Sequence, residues 1–268
     1  MANSAVLLPF VDVRAPAAVS ADEQVPAVLI HGWASGSAYW ERLAGKLLDA
    51  GRPVWILELP GYHPGEELPK DFEWTLDSAA ASVAAAVQTR AEGPVHVVGH
   101  SLGGSVALTL AADHPGSVAT VTLVGMVPSP PNEGFRTMLL SQLEQGFIDA
   151  GTRAKCMKAW FGPLSDEDTE RLSKGFDVPF SVLGPSGVAG MTGVEPSVPG
   201  RVHAPLLVLA GTGDRVRSID QMTAFVAASP TRQLKAIPDA GHSVHWEQPE
   251  ACAATLNEFW KTSWPPPA

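Results

Sequence analysis

Short β-branched and aliphatic runs alternate along the chain with longer stretches in which apolar positions recur at helical spacing, the pattern of a parallel sheet joined by crossover helices. Val25 to Ile30 is the first clear buried strand, and Trp40, Leu43, Leu47 and Leu48 then mark a helix that stops at Gly51. Pro53 to Leu57 reads as a strand, and Thr75 to Ala91 as an alanine-rich helix with Thr75 as N-cap. Val95 to Val98, Leu102 to Asp113 and Val118 to Val124 follow as strand, helix, strand. Pro205 to Ala210, Ile219 to Ala228, Gln233 to Ile237 and Pro249 to Trp260 continue the alternation. Ala5 to Val13 is apolar but short, lacks a preceding basic cluster and runs through Asp12, so neither a secretory leader nor a membrane span is expected there. Trp264 to Ala268, with its prolines, is expected to fray.

The rhythm breaks between Val127 and about Gly200. No buried strand is evident in this segment, only helical patches such as Thr137 to Phe147 and Arg153 to Phe161 between Gly- and Pro-rich connections. It carries too many apolar residues for a solvated loop, so a helical insertion is expected. The expected division is a core of residues 1–126, a helical cap of 127–200 and the rest of the core in 201–268.

Composition narrows the function. Acidic residues outnumber basic ones to give a formal net charge of −10, a field that repels phosphate backbones and anionic membrane surfaces, so neither nucleic acid nor a membrane is expected as partner. Cys156 and Cys252 form neither a CxxC pair nor a disulfide framework, which suits a reducing compartment, and the expected location is the cytoplasm. The chain holds no H-E-x-x-H, H-x-x-E-H or G-x-x-x-x-G-K-[ST], so neither a metal nor another cofactor is expected.

Directly after the strand at Val95 comes Gly99-His100-Ser101-Leu102-Gly103-Gly104, a G-x-S-x-G motif between a predicted strand and a predicted helix. Such a turn projects Ser101 from the end of the sheet, with glycines on both sides leaving room for a strained backbone and close helix packing. The residue after the nucleophile, Leu102, supplies one backbone N–H to an oxyanion hole. A serine hydroxyl is a poor nucleophile near neutral pH. It therefore needs a base such as neutral imidazole, and a carboxylate that fixes the imidazole tautomer.

With these segments the chain resembles the α/β-hydrolase superfamily, and within it the capped, cofactor-independent, esterase-like branch, over nearly its whole length. The resemblance implies a mostly parallel central sheet flanked by helices, with a cap inserted after the strand ending near Val124. It also implies the order nucleophile, acid, histidine. Gly211-Thr212-Gly213-Asp214 and Asp239-Ala240-Gly241-His242 match that pattern, which makes Asp214 the acid and His242 the base. Asp214 has a competing reading as a helix cap, with Asp220 and Asp239 as nearby carboxylates. Ile30-His31-Gly32-Trp33 resembles the family's H-G motif: His31 then shapes the oxyanion loop and Trp33 gives the second oxyanion N–H, or a pocket wall.

Ser101 in place of aspartate disfavours haloalkane dehalogenase and epoxide hydrolase chemistry, and Ser243 in place of lysine after the histidine weakens a hydroxynitrile lyase reading. His100 and His245 either line the pocket or pack behind it, while Met126, Leu143, Trp160 and Phe161 are candidates for its apolar walls, the last three having cap–core packing as the alternative. Glu58-Leu59-Pro60-Gly61-Tyr62-His63 departs from the family's D-x-P-G-x-G at both ends, so the loop is expected to take a different path. The HGW and LPG segments resemble esterases acting on carrier-protein-bound acyl chains, which use basic cap surfaces for docking. Arg153, Lys155 and Lys158 are either such a surface or a solvated helix face. The expected activity is hydrolysis of a small, largely apolar carboxylic ester or lactone through an acyl-enzyme. A thioesterase or C–C bond hydrolase with the same residues, a non-hydrolytic catalyst or a ligand receptor are the alternatives.

Overall fold

The computed structural model describes residues 6, 8, 10–15, 25–129 and 133–264. Most of the Trp264–Ala268 tail and alternate positions at the start of the Ala5–Val13 segment lie outside them. Seven strands form one sheet in the order β1-β3-β2-β4-β5-β6-β7. These are β1 (Phe10–Arg14), β2 (Ala27–Ile30), β3 (Val54–Leu57), β4 (Val95–His100), β5 (Val118–Val124), β6 (Leu206–Gly211) and β7 (Arg232–Ile237). All pairings are parallel except β1 with β3.

The central strands are buried on both faces, which is why they read as continuous apolar runs. Within β2, Val28 and Ile30 join the cluster that contains α2 (Leu76–Gln88) and α3 (Leu102–Asp113). Ala27 and Leu29 join the opposite cluster, with α1 (Glu41–Asp49) and α11 (Pro249–Ser263). Thr75 caps α2 through a reciprocal pair, its hydroxyl accepting from Ser78 N and the Ser78 hydroxyl from Thr75 N, at 3.0 and 2.9 Å.

Between β5 and β6 lie α4 (Glu133–Gln145), α5 (Ala150–Trp160), α6 (Asp166–Ser173), α7 (Phe180–Thr192) and α8 (Val198–Arg201), with no strand among the described residues of this segment. The patches at Thr137 and Arg153 correspond to α4 and α5, each starting a few residues earlier. Helix α7 has no counterpart in the expected elements because Gly184, Pro185, Gly187 and Gly190 read as a connection. In the fold those small residues let α7 lie close to the core. A Cβ on Gly187 would stand 3.0 Å from Trp33 Nε1, and one on Gly190 3.2 Å from Leu102 Cδ1. Trp33 Nε1 donates to Leu183 O at 2.8 Å, and Tyr62 and Ser186 hydroxyls meet at 2.9 Å, so α7 is tied to two core loops. After β6 comes α9 (Ile219–Ala227), and after β7 comes α10 (Val244–Glu247), directly before α11.

Strand β1 is a half-exposed edge at the end of the apolar Ala5–Val13 run, with Asp12 and Arg14 paired along it. It is held by Phe10 against Trp55, ring centroids 5.3 Å apart.

Parallel strands end on one edge, so the loops after β2, β4, β6 and β7 converge there whatever their separation in sequence. The turn after β4 is tightly enclosed. A Cβ on Gly99 would stand 2.2 Å from Gly103 O, and one on Gly103 2.3 Å from Ile30 O. Gly103→Ala therefore destabilises the fold by at least about 2 kcal/mol, as overpacking against backbone does. Gly45→Ala in α1, where nothing lies within 4 Å of the added carbon, stabilises by about 1 kcal/mol. Thermal denaturation of the two variants gives melting shifts of opposite sign; equal shifts contradict this packing.

Candidate active site

Ser101 stands between β4 and α3 with φ 51° and ψ −115°, outside the regions that side-chain-bearing residues favour. Its N–H donates to Val124 O at 3.0 Å, which anchors the turn to β5. Leu102 opens α3, and first-turn amides have no carbonyl of their own helix to bond, so they remain donors. Ser101, Leu102, Gly32 and Trp33 line one cavity at the carboxyl edge of the sheet.

Asp214 follows β6, and its carboxylate does two jobs. Oδ1 accepts from Val216 N and Arg217 N at 2.7 and 3.0 Å, and Oδ2 accepts from His242 Nδ1 at 3.0 Å. Both side chains are only 2% exposed, so the bond between them is shielded from water. Asp214 is thus a loop-capping residue and the partner of His242 at once. The bond to Oδ2 places the imidazole proton on Nδ1 and leaves Nε2 as the basic nitrogen. His242 lines the same cavity as Ser101. It is also wedged against Gly125, where a Cβ would approach His242 O to 2.8 Å. Asp220 sits in the first turn of α9, and Asp239 offers its carbonyl to Gln248 at 3.3 Å.

The remaining histidines occupy other environments. His31 is fully buried; its Nε2 accepts from Leu59 N at 3.1 Å and its Nδ1 donates to Gly32 O at 2.8 Å, which defines one neutral tautomer and shapes the loop that carries Trp33. Burial lowers its pKa, with Glu58 and the Gly32 carbonyl opposing. His100 donates from Nε2 to the His242 carbonyl at 3.2 Å, and burial, with help from His245 and His242, drives its pKa well down. His245 is buried behind it, rings 4.6 Å apart, with its pKa brought down to about 3 by burial and then by His242. His96 is likewise held to about 3 by burial, stacked on Trp260 and bonded to Thr120.

Of the six residues expected on the pocket, His100, Met126 and Trp160 line the cavity. Leu143, Phe161 and His245 lie outside its lining. Leu143 packs toward Gly184, Phe161 lies against Tyr39 with ring centroids 5.2 Å apart, and His245 lies against Trp40 at 4.4 Å. The lining also includes Ser105, Phe135, Gly187, Gly190, Val216 and Arg217. Two of these had a sequence signal: Ser105 is one helical turn past Ser101, and Arg217 is three residues past Asp214. The altered Glu58–His63 loop is organised by Glu58, whose carboxylate accepts from Ser37 N and Oγ and from His63 Nδ1. Burial raises both cysteine thiols to a pKa of about 12, which makes them poor nucleophiles. No group of three or more His, Cys, Asp or Glu among the described residues is arranged to hold a metal ion, and no described helix is long and apolar enough to cross a membrane.

A G-x-S-x-G turn after a central strand, with an aspartate and a histidine on later loops of a mostly parallel sheet, is the arrangement of the α/β-hydrolase class. The chain belongs to the alpha/beta hydrolase family, whose model matches residues 27–255. It is 28% identical over 248 residues to a pimeloyl-[acyl-carrier protein] methyl ester esterase of Methylococcus capsulatus, a match covering 88% of this chain and 94% of that protein. It is 25% identical over 252 residues to a 2-hydroxy-6-oxononadienedioate/2-hydroxy-6-oxononatrienedioate hydrolase of Comamonas testosteroni, covering 86% of each. In fold it resembles an esterase from Exiguobacterium antarcticum with a TM-score of 0.80 at 16% identity, over 93% of this chain and 94% of that one.

The buried neutral histidines set a test of stability against pH. Their folded pKa values lie below the unfolded value of 6.5, so the unfolded state binds the extra protons and stability falls as pH drops from about 6.5 toward 3. Each such imidazole contributes a slope of up to about 1.4 kcal/mol per pH unit. Urea unfolding between pH 7 and 5 therefore gives a falling midpoint, with a shallower fall in His96→Gln; identical slopes in the two proteins contradict this assignment.

Proposed function

We propose that this protein is a serine hydrolase that cleaves a carboxylic ester, or the cyclic ester of a lactone, through an acyl-enzyme on Ser101. The observation that carries the reading is the 3.0 Å bond from His242 Nδ1 to Asp214 Oδ2, with His242 and Ser101 on one cavity. In the first half-reaction His242 Nε2 takes the hydroxyl proton as Ser101 Oγ bonds to the ester carbonyl carbon. The tetrahedral oxyanion is held by the backbone N–H groups of Leu102 and Trp33, a contribution of about 10² to 10³ in rate per donor. The ester C–O bond then breaks and the proton passes from His242 to the departing alcohol. Water repeats the sequence on the acyl-enzyme, releasing the acid and restoring Ser101. Asp214 stays ionised throughout and steadies the imidazolium.

The helices of residues 127–200 serve in this reading as a cap, contributing Phe135, Trp160, Gly187 and Gly190 to an apolar roof over the nucleophile. The name of the Methylococcus relative supports an acyl chain delivered on a carrier protein. Lys155 and Lys158, both exposed on α5, offer cations to such a partner, whereas Arg153 is engaged with Asp177 at 2.7 Å. A C–C bond hydrolase using the same side chains is the second reading, favoured by the Comamonas relative.

A fluorophosphonate probe is expected to label one serine, Ser101, and labelling that persists in Ser101→Ala refutes the assignment. In Asp214→Asn the imidazole loses its charged partner and the tautomer it fixes, so kcat on a short aryl ester falls by about 10³ to 10⁴. A loss under tenfold places the acid elsewhere. Comparing linear esters, lactones, thioesters and a vinylogous diketone then separates the readings by rate.

A further inference from the structure

Three hydrogen bonds hold the stretch of backbone that carries His242. The N–H before it, of Gly241, donates to Glu247 Oε2 at 3.1 Å. The N–H after it, of Ser243, donates to Trp160 O at 3.0 Å. Its own carbonyl accepts from His100 Nε2 at 3.2 Å. The second of these partners is a backbone carbonyl, and His100 lines the cavity beside the nucleophile. Glu247 is not among the lining residues, so of the three it is the side chain that acts on His242 away from substrate. It reaches Gly241 because α10 is a single turn. The Glu247 N–H donates to Ser243 O at 3.0 Å, and a helical side chain leans toward the N-terminal end, which brings the carboxyl back over the loop six positions earlier. There it lies between two backbone segments: a Cβ on Gly241 would stand 3.3 Å from Oε1, and one on Gly162, in the loop after α5, 3.4 Å from Oε2.

Burial raises the pKa of this carboxyl, the N–H groups of Gly241 and Gly162 oppose the rise, and the charges of Asp214 and His242 act on it in opposite directions. Glu247 thus has two routes to His242, a bond to the preceding amide and the field of its charge. We propose that Glu247 is a positioning residue for His242: by holding the Gly241 N–H it fixes the backbone from which the imidazole reaches both Asp214 and the cavity. A misplacement of about 1 Å at a reacting group costs on the order of 10² in rate, so one bond at the root of the histidine is enough to matter. This inference rests on the hydrolase reading above and adds to it a residue that touches no substrate.

Two substitutions separate bond from charge. Glu247→Asp keeps the charge and withdraws the acceptor by one methylene. Glu247→Gln removes the charge and keeps an oxygen at the same reach; Oε1 has no hydrogen-bond partner among the described residues, so the amide can turn its oxygen to Gly241 without breaking another bond. On a short aryl ester the expected kcat is lower by about 10 to 10²-fold in Glu247→Asp, at a KM near that of the wild type, and is largely restored in Glu247→Gln. Any other order overturns the proposal: a Glu247→Asp protein as active as wild type, or a Glu247→Gln protein as impaired as Glu247→Asp. Nitrogen NMR spectra of protein with isotope-labelled histidine report on the same point without turnover, the His242 signals being assigned by their loss in His242→Gln. They are expected to show the proton on Nδ1 in the wild type and in Glu247→Gln, and a mixture of tautomers in Glu247→Asp. His242 signals in Glu247→Asp identical to those of the wild type overturn the proposal. If the spectra change as expected while the wild type cleaves no ester, the positioning role stands and it is the hydrolase reading that falls.

Discussion

The backbone at Ser101 is the constraint around which the site is organised. A residue with a side chain held at φ 51° and ψ −115° costs on the order of 1–3 kcal/mol and persists only where its surroundings leave no alternative. Here the surroundings are backbone. Gly99 and Gly103 pass so closely that neither has room for a methyl group, and Gly103 sits against the carbonyls of Ile30 and His31. The turn thereby locks the end of β4 to the loop after β2, so the serine and the loop bearing Trp33 are fixed relative to each other. The other side-chain-bearing residues with positive φ among those described, Ala34 and Asp239, lie on the loops after β2 and β7. Backbone strain in this molecule gathers on the edge of the sheet where the cavity opens.

Electrostatic roles at that edge are divided by environment. His31, His100 and His245 are buried and kept neutral by desolvation, and they serve as hydrogen-bonding and packing groups around the loops. His242 differs in having a buried carboxylate on one nitrogen and a cavity beside it. His242 thus differs from these three in a direct bond to a buried carboxylate. His100 follows Gly99 at the end of β4 and holds the carbonyl of His242, joining the strand before Ser101 to the loop of His242.

The core was legible from sequence because its strands are buried on both faces. Val118–Val124 and Leu102–Asp113 appear in the fold with the expected limits, and the other core strands shift by one or two residues. That Ser101, Asp214 and His242 meet at one edge of the sheet was legible through a motif and through their positions after particular strands. What escaped was structure whose stability comes from contact and not from local pattern. β1 is an edge strand with charged residues, and α7 is a helix rich in glycine whose small side chains serve close approach to Trp33 and Leu102. Pocket lining was only half legible, since apolar residues of the inserted helices look alike in sequence whether they face the cavity, as Trp160 does, or pack at its back, as Phe161 does.

The account centres on covalent acyl transfer to Ser101, and the most direct measurement is intact-protein mass spectrometry after rapid acid quenching of the enzyme with an activated aryl ester. The account predicts a transient adduct of one acyl group, mapped to the peptide containing Ser101, that forms before steady-state turnover and persists longer in His242→Gln if acylation still proceeds. Steady turnover with no adduct at any quench time, or an adduct on another residue whose loss abolishes activity, contradicts it.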